Sequence, residues 1–330
     1  MEPSPVPVRV LRYPEPTPLR AALGWVSITL FHAGLFSIPL LCLALPLLVV
    51  FCDWRYLLPL AFVAFLSACP HRKWPAFERA WRPILELWCE IFRTTLIYEG
   101  HPAGHPSAAA AAGEKAPVVE DFILTVGPHG IIPISGFLIW GASQSHGLHP
   151  EYFGGADVAL GLPFFRQFLV WSGGVSASKK VVEQLLSSGA RSFSVFPGGI
   201  SEMMATRNDC ETLVLKPRKG IIGLAKKHGK AIVPVLTFGT TQHFQRWPPP
   251  DVAWVRWLSR RLRIALVVPR GRFWLPIPFY ARATVVFGAP IATADKSVEE
   301  LHEEWVNWFE TTYERYKDAA GCAGRELLVL

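Results

Sequence analysis

The chain has 330 residues, 51% of them hydrophobic, a net charge of +7 and a mean hydropathy of +0.27. That is long enough for one sizeable catalytic domain plus a membrane segment, and the apolar share is high for a wholly soluble protein. The basic residues stand beside Trp, Leu and Phe rather than in polar stripes, which speaks against nucleic acid and for anionic headgroups or a phosphate-rich co-substrate. Six cysteines with no CxxC and no Cys/His ligand spacing support neither a disulfide framework nor a zinc site.

Residues 1–20 are Pro-rich, carry Arg9, Arg12 and Arg20, and read as a disordered tail. From Leu23 to Phe51 there are 29 residues without Asp, Glu, Lys or Arg, more than the ~20 that cross a bilayer as a helix. Cys52-Asp53-Trp54-Arg55 interrupts the run, a second apolar stretch covers 56–70, and His71-Arg72-Lys73 closes it. Residues 21–73 therefore read as a membrane hairpin, transmembrane or re-entrant. Its second arm is short for a full span, and Pro39, Pro46 and Pro59 bend the helices. The first run is too long and starts too far in for a secretory signal peptide. Positive flanks on both sides put both ends in the cytosol. His32, inside the first run, reads as a neutral histidine near the interface.

Residues 74–99 place apolar groups at helical spacing beside Trp74, Trp81 and Trp88, as in an amphipathic helix lying on the interface or packed on a domain. Residues 100–118, with alanines at 108–112, read as a low-complexity insertion. From 119 to 330 the pattern is α/β. Strands are predicted at 122–126, 192–196, 231–238 and 284–287, and helices at 132–143, 163–171, 177–188, 220–228 and 298–316. This alternation predicts a mostly parallel sheet covered on both faces.

Four motifs carry chemistry. Gly127-Pro128-His129-Gly130 directly follows the first strand, and a histidine on a tight turn at a strand end suits a general base. Phe196-Pro197-Gly198-Gly199-Ile200-Ser201-Glu202 follows the second; its glycines leave backbone N–H groups free to face an anion. Taken alone, Glu202 reads as a helix N-terminal carboxylate. Lys216-Pro217-Arg218-Lys219-Gly220 puts two cations at a helix start, where phosphate is favoured, or else forms a solvated basic turn. Last, Trp254, Trp257, Arg260, Arg261 and Arg263 lead to Arg270-Gly271-Arg272-Phe273-Trp274, with no acid from Val252 to Ala294. Arg among Trp suits a membrane surface. RNA binding through this stripe has no fold signature behind it.

In this order the motifs resemble the type-2 diacylglycerol acyltransferase family, which includes monoacylglycerol and wax-ester-forming relatives, from about residue 23 to the C-terminus. The family's His-Pro-His-Gly is matched by Gly127-Pro128-His129-Gly130, and its glycine/glutamate motif by Gly198-Gly199-Ile200-Ser201-Glu202. Arg-x-Gly-x4-Ala is matched by Arg218-Lys219-Gly220 and Ala225, with Val233-Pro234-Val235 and Phe238-Gly239 behind it. The closing element is Gly288-Ala289-Pro290-Ile291. Two positions depart from the pattern: Gly127 stands for the first histidine, and Thr240 for a glutamate after Phe-Gly. His129 is similar in placement to the base of the wider glycerolipid acyltransferases, whose Asp five residues on is replaced here by Ile134.

The resemblance implies an α/β acyltransferase domain that moves an acyl group from acyl-CoA, a co-substrate, to diacylglycerol, with no cofactor and no metal. It implies His129 as base, with Glu202 orienting it or polarising the acceptor. Gly130, Gly198 and Gly199 would supply oxyanion donors, and Arg218 and Lys219 would hold the CoA phosphates. With no Ser or Cys nucleophile placed beside a base, direct attack is expected rather than an acyl-enzyme. Membrane lipids are the expected partners, nucleic acid is not, and oligomeric assembly is open. The expected address is the endoplasmic reticulum membrane with the catalytic domain in the cytosol, and lipid droplets second. Monoacylglycerol or a fatty alcohol is the rival acceptor; a non-catalytic droplet-coating hairpin is the rival of another class.

Overall fold

The computed structural model describes residues 8–69, 72–100, 121–146, 148–162, 164–248, 252–262 and 267–330. The alanine-rich stretch and Arg263 lie outside the described residues. The N-terminal part comprises strand β1 (Val8–Arg12), helix α1 (Pro18–Phe51), α2 (Leu57–Ala68), α3 (Pro75–Ile91) and β2 (Thr95–Glu99). Then come β3 (Phe122–Gly127), α4 (Ile134–His146), β4 (Tyr152–Gly155), α5 (Asp157–Gly161), α6 (Phe165–Trp171) and β5 (Gly174–Ser176). Helix α7 (Lys179–Ser187), β6 (Ser192–Val195), α8 (Gly199–Ala205), β7 (Glu211–Leu213), α9 (Lys219–Lys227) and β8 (Ala231–Phe238) follow. The chain ends with β9 (Gln245–Trp247), α10 (Ala253–Leu262), β10 (Val268–Arg270), β11 (Thr284–Phe287), α11 (Val298–Tyr316) and β12 (Leu327–Val329).

Eight strands form the central sheet in the order β1-β2-β11-β8-β3-β6-β4-β5. Five pairings in it are parallel and two, β1 with β2 and β11 with β8, are antiparallel. The mixed α/β class with a mostly parallel sheet is thus as read from the sequence. Period-two alternation splits the core between the two faces. Phe122, Leu124, Val126, Val233, Val235, Val285 and Phe287 face α3 and α4. Ile123, Ile232, Leu236, Phe238 and Val286 face α9 and α11. Trp305 of α11 is fully buried, and its indole N–H donates to Thr125 Oγ1 at 2.8 Å. Burial of such a side chain contributes roughly 1.5–3 kcal/mol.

Two expectations need correction. The tail is not wholly irregular: Val8–Arg12 pairs antiparallel with Thr95–Glu99, Val8 opposite Glu99. Composition alone hides this, because a short β-favouring run between prolines gains its backbone partners only from a distant edge. Nor does the helix of residues 74–99 run to its end. It stops at Ile91, Arg93 adopts a positive φ of 46°, and Thr95–Glu99 continues as a strand. Thr94, Thr95 and Ile97 are β-branched, which favours the switch. Helix α3 buries Leu85, Trp88, Cys89 and Ile91, so this face of it packs on the domain.

Helix α1 does two jobs along its length of about 50 Å. Its first half docks. Arg20 donates from Nε and Nη2 to the Glu90 carboxylate at 2.7 and 2.6 Å, and Trp88 Nε1 donates to Ser27 Oγ at 3.0 Å. A Cβ on Gly24 would stand 2.5 Å from Ile91 Cγ2, so only glycine permits this approach to α3. His32 is fully buried beside the rings of Trp88 and Phe244. Further on, Leu40, Leu41, Leu47, Val50 and Phe51 are exposed, as are Leu57, Leu58, Phe62 and Phe65 of α2. The window Pro18–Cys42 is apolar and long enough to cross a membrane. The far end of α2 is tied back: Arg166 donates to the carbonyls of Leu66 and Cys69 at 3.4 and 3.2 Å, satisfying groups a helix end leaves open.

Candidate active site

Strand β3 delivers Gly127 and a cis Gly127–Pro128 peptide to the turn that carries His129. Gly130 closes the turn at φ +63°, where a side chain would be strained and would also meet the Thr241 backbone at 3.5 Å. His129 is half-buried, with its ring edge-on to Phe196 at 4.9 Å between centroids. Its Nδ1 lies 2.8 Å from the carbonyl oxygen of Gly130. A carbonyl only accepts, so Nδ1 carries the hydrogen and Nε2 is left with a bare lone pair. Burial lowers the imidazole pKa, and the Gly130 bond opposes this in part. The ring is therefore neutral at pH 7, in the form that takes a proton.

Glu202 sits inside this turn, 1% exposed, on the first turn of α8. One carboxylate oxygen accepts the backbone N–H of His129; the other accepts that of Val214 at 3.0 Å. Burial raises its pKa to about 7; the two N–H bonds and Arg218 pull the other way, and Glu211 adds to the rise. The contact runs to the His129 main chain. Glu202 thus fixes where the turn sits, and the Gly130 carbonyl fixes the imidazole. Gly198 makes the fold-back feasible: a Cβ there would stand 2.1 Å from Glu202 Oε2 and 2.6 Å from its Cβ. Gly199 has φ +47° at the helix start, where the first N–H groups have no partner within the helix and point outward. Arg218 Nη2 donates to the Gly198 carbonyl at 3.1 Å.

The structure thus brings His129, Gly130, Gly198, Gly199, Glu202 and Arg218 together. Lys219 is exposed and opens α9 one residue later, its Nζ 3.7 Å from Glu299. Trp254, Trp257, Arg260 and Arg261 lie on a separate helix, α10, where the two indoles are 66% and 64% exposed. Among the described residues no group of three or more His, Cys, Asp or Glu side chains is placed to hold a metal ion.

Sequence reasoning missed the support behind the turn. Buried Glu211 accepts from Arg325 Nε at 2.8 Å and from Thr241 Oγ1 at 2.6 Å, and so ties the C-terminal segment to the residue packed on Gly130. Its partner lies over a hundred residues away, beyond any local pattern. The two departures from the family pattern also turn out to be neighbours. A Cβ on Gly127 would stand 2.5 Å from Leu213 Cδ2 and 3.5 Å from Phe309, so the space is filled. The Gly127 carbonyl accepts from Thr237 Oγ1 at 3.4 Å, and that hydroxyl lies 2.9 Å from Thr240 Oγ1.

A neutral imidazole whose Nδ1–H is held by the Gly130 carbonyl can take a proton from an alcohol at Nε2, as acyl transfer requires. Residues 112–330 match the diacylglycerol acyltransferase family, and the chain belongs to it. It is 26% identical to diacylglycerol O-acyltransferase 2B of Umbelopsis ramanniana, over 90% of this chain and 86% of that one. It is 30% identical to diacylglycerol O-acyltransferase 2 of Dictyostelium discoideum, over 63% and 68% of the two chains. With bovine 2-acylglycerol O-acyltransferase 1 it shares 28% identity, over 63% and 69%. A solved structure, the 1-acyl-sn-glycerophosphate (LPA) acyltransferase PlsC of Thermotoga maritima, covers 91% of this chain and 98% of its own, with 17% identity and a TM-score of 0.48.

Proposed function

We propose that this protein transfers an acyl group from acyl-CoA to the free hydroxyl of diacylglycerol, with His129 as general base, giving triacylglycerol and CoA. The observation that carries this is the His129 imidazole. Its Nδ1–H is spent on the Gly130 carbonyl, and Nε2 is left bare on a turn clamped by Glu202. The names of the relatives support the reaction class.

The acceptor O–H gives its proton to His129 Nε2 as its oxygen attacks the thioester carbonyl. The new C–O bond forms while the carbonyl oxygen takes up negative charge, and N–H groups at Gly130 and at the start of α8 face that charge. The C–S bond then breaks, and the proton passes from His129 to the CoA thiolate. General base assistance of this kind contributes about 10²–10⁴-fold. Glu202 acts as a positioning residue through the His129 main chain. Arg218 and Lys219 face the phosphates of the donor.

The apolar hairpin suits chemistry carried out at lipid. Helix α1 docks on the domain at one end and leaves apolar side chains exposed at the other. Helix α2, twelve residues and about 18 Å long, is shorter than the ~30 Å hydrocarbon core, which favours a wedge in one leaflet for that arm. Trp254, Trp257 and Arg261 on α10 would lie at the headgroups of the same cytosolic surface. An endoplasmic reticulum membrane with the site facing the cytosol suits a soluble donor and a lipid acceptor, and lipid droplets suit the product.

A second reading rests on the relatives named 2-acylglycerol O-acyltransferase 1: monoacylglycerol as acceptor. The test is labelled oleoyl-CoA given to membranes that contain this chain and no other acyltransferase, with diacylglycerol, 2-monoacylglycerol or a fatty alcohol supplied in turn. Labelled triacylglycerol with diacylglycerol supports the proposal, and a different labelled ester reassigns the acceptor. No ester with any acceptor would sink the catalytic reading in favour of a hairpin protein that coats droplets.

A further inference from the structure

Between α7 and α9 lies a cleft of about 380 Å³, bordered by Lys179 and Glu183 on one side and by Lys219, Gly220, Gly223 and Lys227 on the other. Its volume falls within the range of small-molecule sites, about 300–1,000 Å³. Lys227 pairs with Glu183 and Lys219 Nζ lies 3.7 Å from Glu299, so the three lysines outnumber the two carboxylates by one and the cleft stays cationic.

The two glycines are the informative feature. Both have ordinary backbone angles; Gly220 lies in the first turn of α9, and Gly223 sits inside the helix, where glycine is about 1 kcal/mol less favourable than alanine. Neither is required by packing, because a Cβ at Gly220 or at Gly223 would meet nothing within 4 Å. Four residues from Gly223 along the same helix face comes Lys227, and Lys219 stands at the other end, so the bare backbone lies between two lysines whose main chains are about 12 Å apart along the helix axis. A flat, polyanionic molecule can lie on that surface, with phosphates at both ends. The near end adjoins the reaction centre: Arg218, just before α9, bonds Gly198 beneath Glu202.

We propose that this cleft receives the 3′-phosphorylated adenine nucleotide end of acyl-CoA, with its ring and ribose on Gly220 and Gly223 and its phosphates among Lys179, Lys219 and Lys227. The assignment rests on acyl-CoA being the donor, and it adds Lys179, Lys227 and the two glycines to Arg218 and Lys219. The thioester then extends past Arg218 to the His129 turn. Each lysine–phosphate contact is a charge-assisted bond.

The experiment compares the full-length protein in membranes with its Lys179→Ala, Lys227→Ala and Gly223→Leu variants, using oleoyl-CoA and oleoyl-3′-dephospho-CoA. The parent should show a KM for the dephospho donor roughly tenfold above that for oleoyl-CoA. The lysine variants should lose most of that preference at unchanged kcat. Gly223→Leu should raise KM for both donors without lowering Tm, a pattern that a damaged fold cannot give. Equal donor preference in the parent and all variants would overturn the proposal. Equilibrium binding of adenosine 3′,5′-bisphosphate to the parent and the variants reads the cleft without any catalysis. Binding to the parent that is weakened in the variants supports the site even if no ester is made. No binding, or equal competition by inorganic phosphate, refutes it.

Discussion

Glycines at the His129 turn and glycines on α9 are surrounded in opposite ways. Around the turn they are packed out: a Cβ at Gly127 would run into Leu213, and one at Gly198 into Glu202. On α9 they face nothing. A packed glycine lets two backbones or a backbone and a side chain approach, so it serves position. An open glycine inside a helix lowers stability with no internal return, and that points to something arriving from outside. The same residue type thus marks the rigid reaction centre and the surface on which the donor is proposed to lie.

The sharpest way to break the packed side of this contrast is Glu202→Ala. It leaves the His129 and Val214 N–H groups buried without partners, which at about 1–3 kcal/mol each should remove several kcal/mol of stability. Activity should fall along with Tm in thermal unfolding; a variant as stable as the parent would show that the clamp is not needed. Next in size is a pH effect. A carboxyl whose pKa is raised in the folded state contributes stability that is full below its unfolded pKa and lost as pH rises through the folded value, here about 7. Unfolding free energy should therefore fall by up to roughly 3 kcal/mol between pH 4.5 and 7.5 from this group, and Glu202→Gln should flatten that slope. His129 has the opposite sign, since its lowered pKa makes its contribution fade as pH falls.

Smaller effects separate the two kinds of glycine. Gly198→Ala forces Glu202 off its two N–H partners and should destabilise by about 1–3 kcal/mol. Gly223→Ala, with open space around it, should stabilise by about 0.5–1 kcal/mol. Paired denaturant titrations would show the two shifts with opposite sign. Gly127→His, which restores the family pattern, should destabilise by a similar ~1–3 kcal/mol against Leu213, and Leu213→Ala in the same chain should recover part of that loss. No recovery would mean that Leu213 does not fill the place of the missing side chain.

Much of this was legible in the amino-acid order. Strands at 231–238 and 284–287 and the helix at 298–316 were predicted with their observed bounds, because their periodicity is strong and their ends are marked; Ser297 and Glu300 form a capping box. The His129 turn and the Glu202 helix start follow strands that are plain in sequence. What stayed hidden depends on pairing across the chain. Strand β1 needs β2, β11 is inserted antiparallel beside β8, and Glu211 meets Arg325. Glu202's role was equally hidden, since no local pattern says whether a carboxylate reaches a neighbour's imidazole or its main chain. The α7–α9 cleft joins two helices some forty residues apart, and only their packing shows that Gly220 and Gly223 are open.

The central claim is that the bare Nε2 of His129 takes the acceptor's proton. The most direct measurement is the rate of labelled oleoyl transfer from oleoyl-CoA to diacylglycerol by His129→Ala beside the parent, at matched protein amounts and matched Tm. Because the imidazole is only partly buried and Glu202 holds only the main chain, the variant should fold normally. Its kcat should fall by at least about 10²-fold with little change in KM for either substrate. A variant that transfers oleate at near the parent's rate would contradict the account and place the base elsewhere.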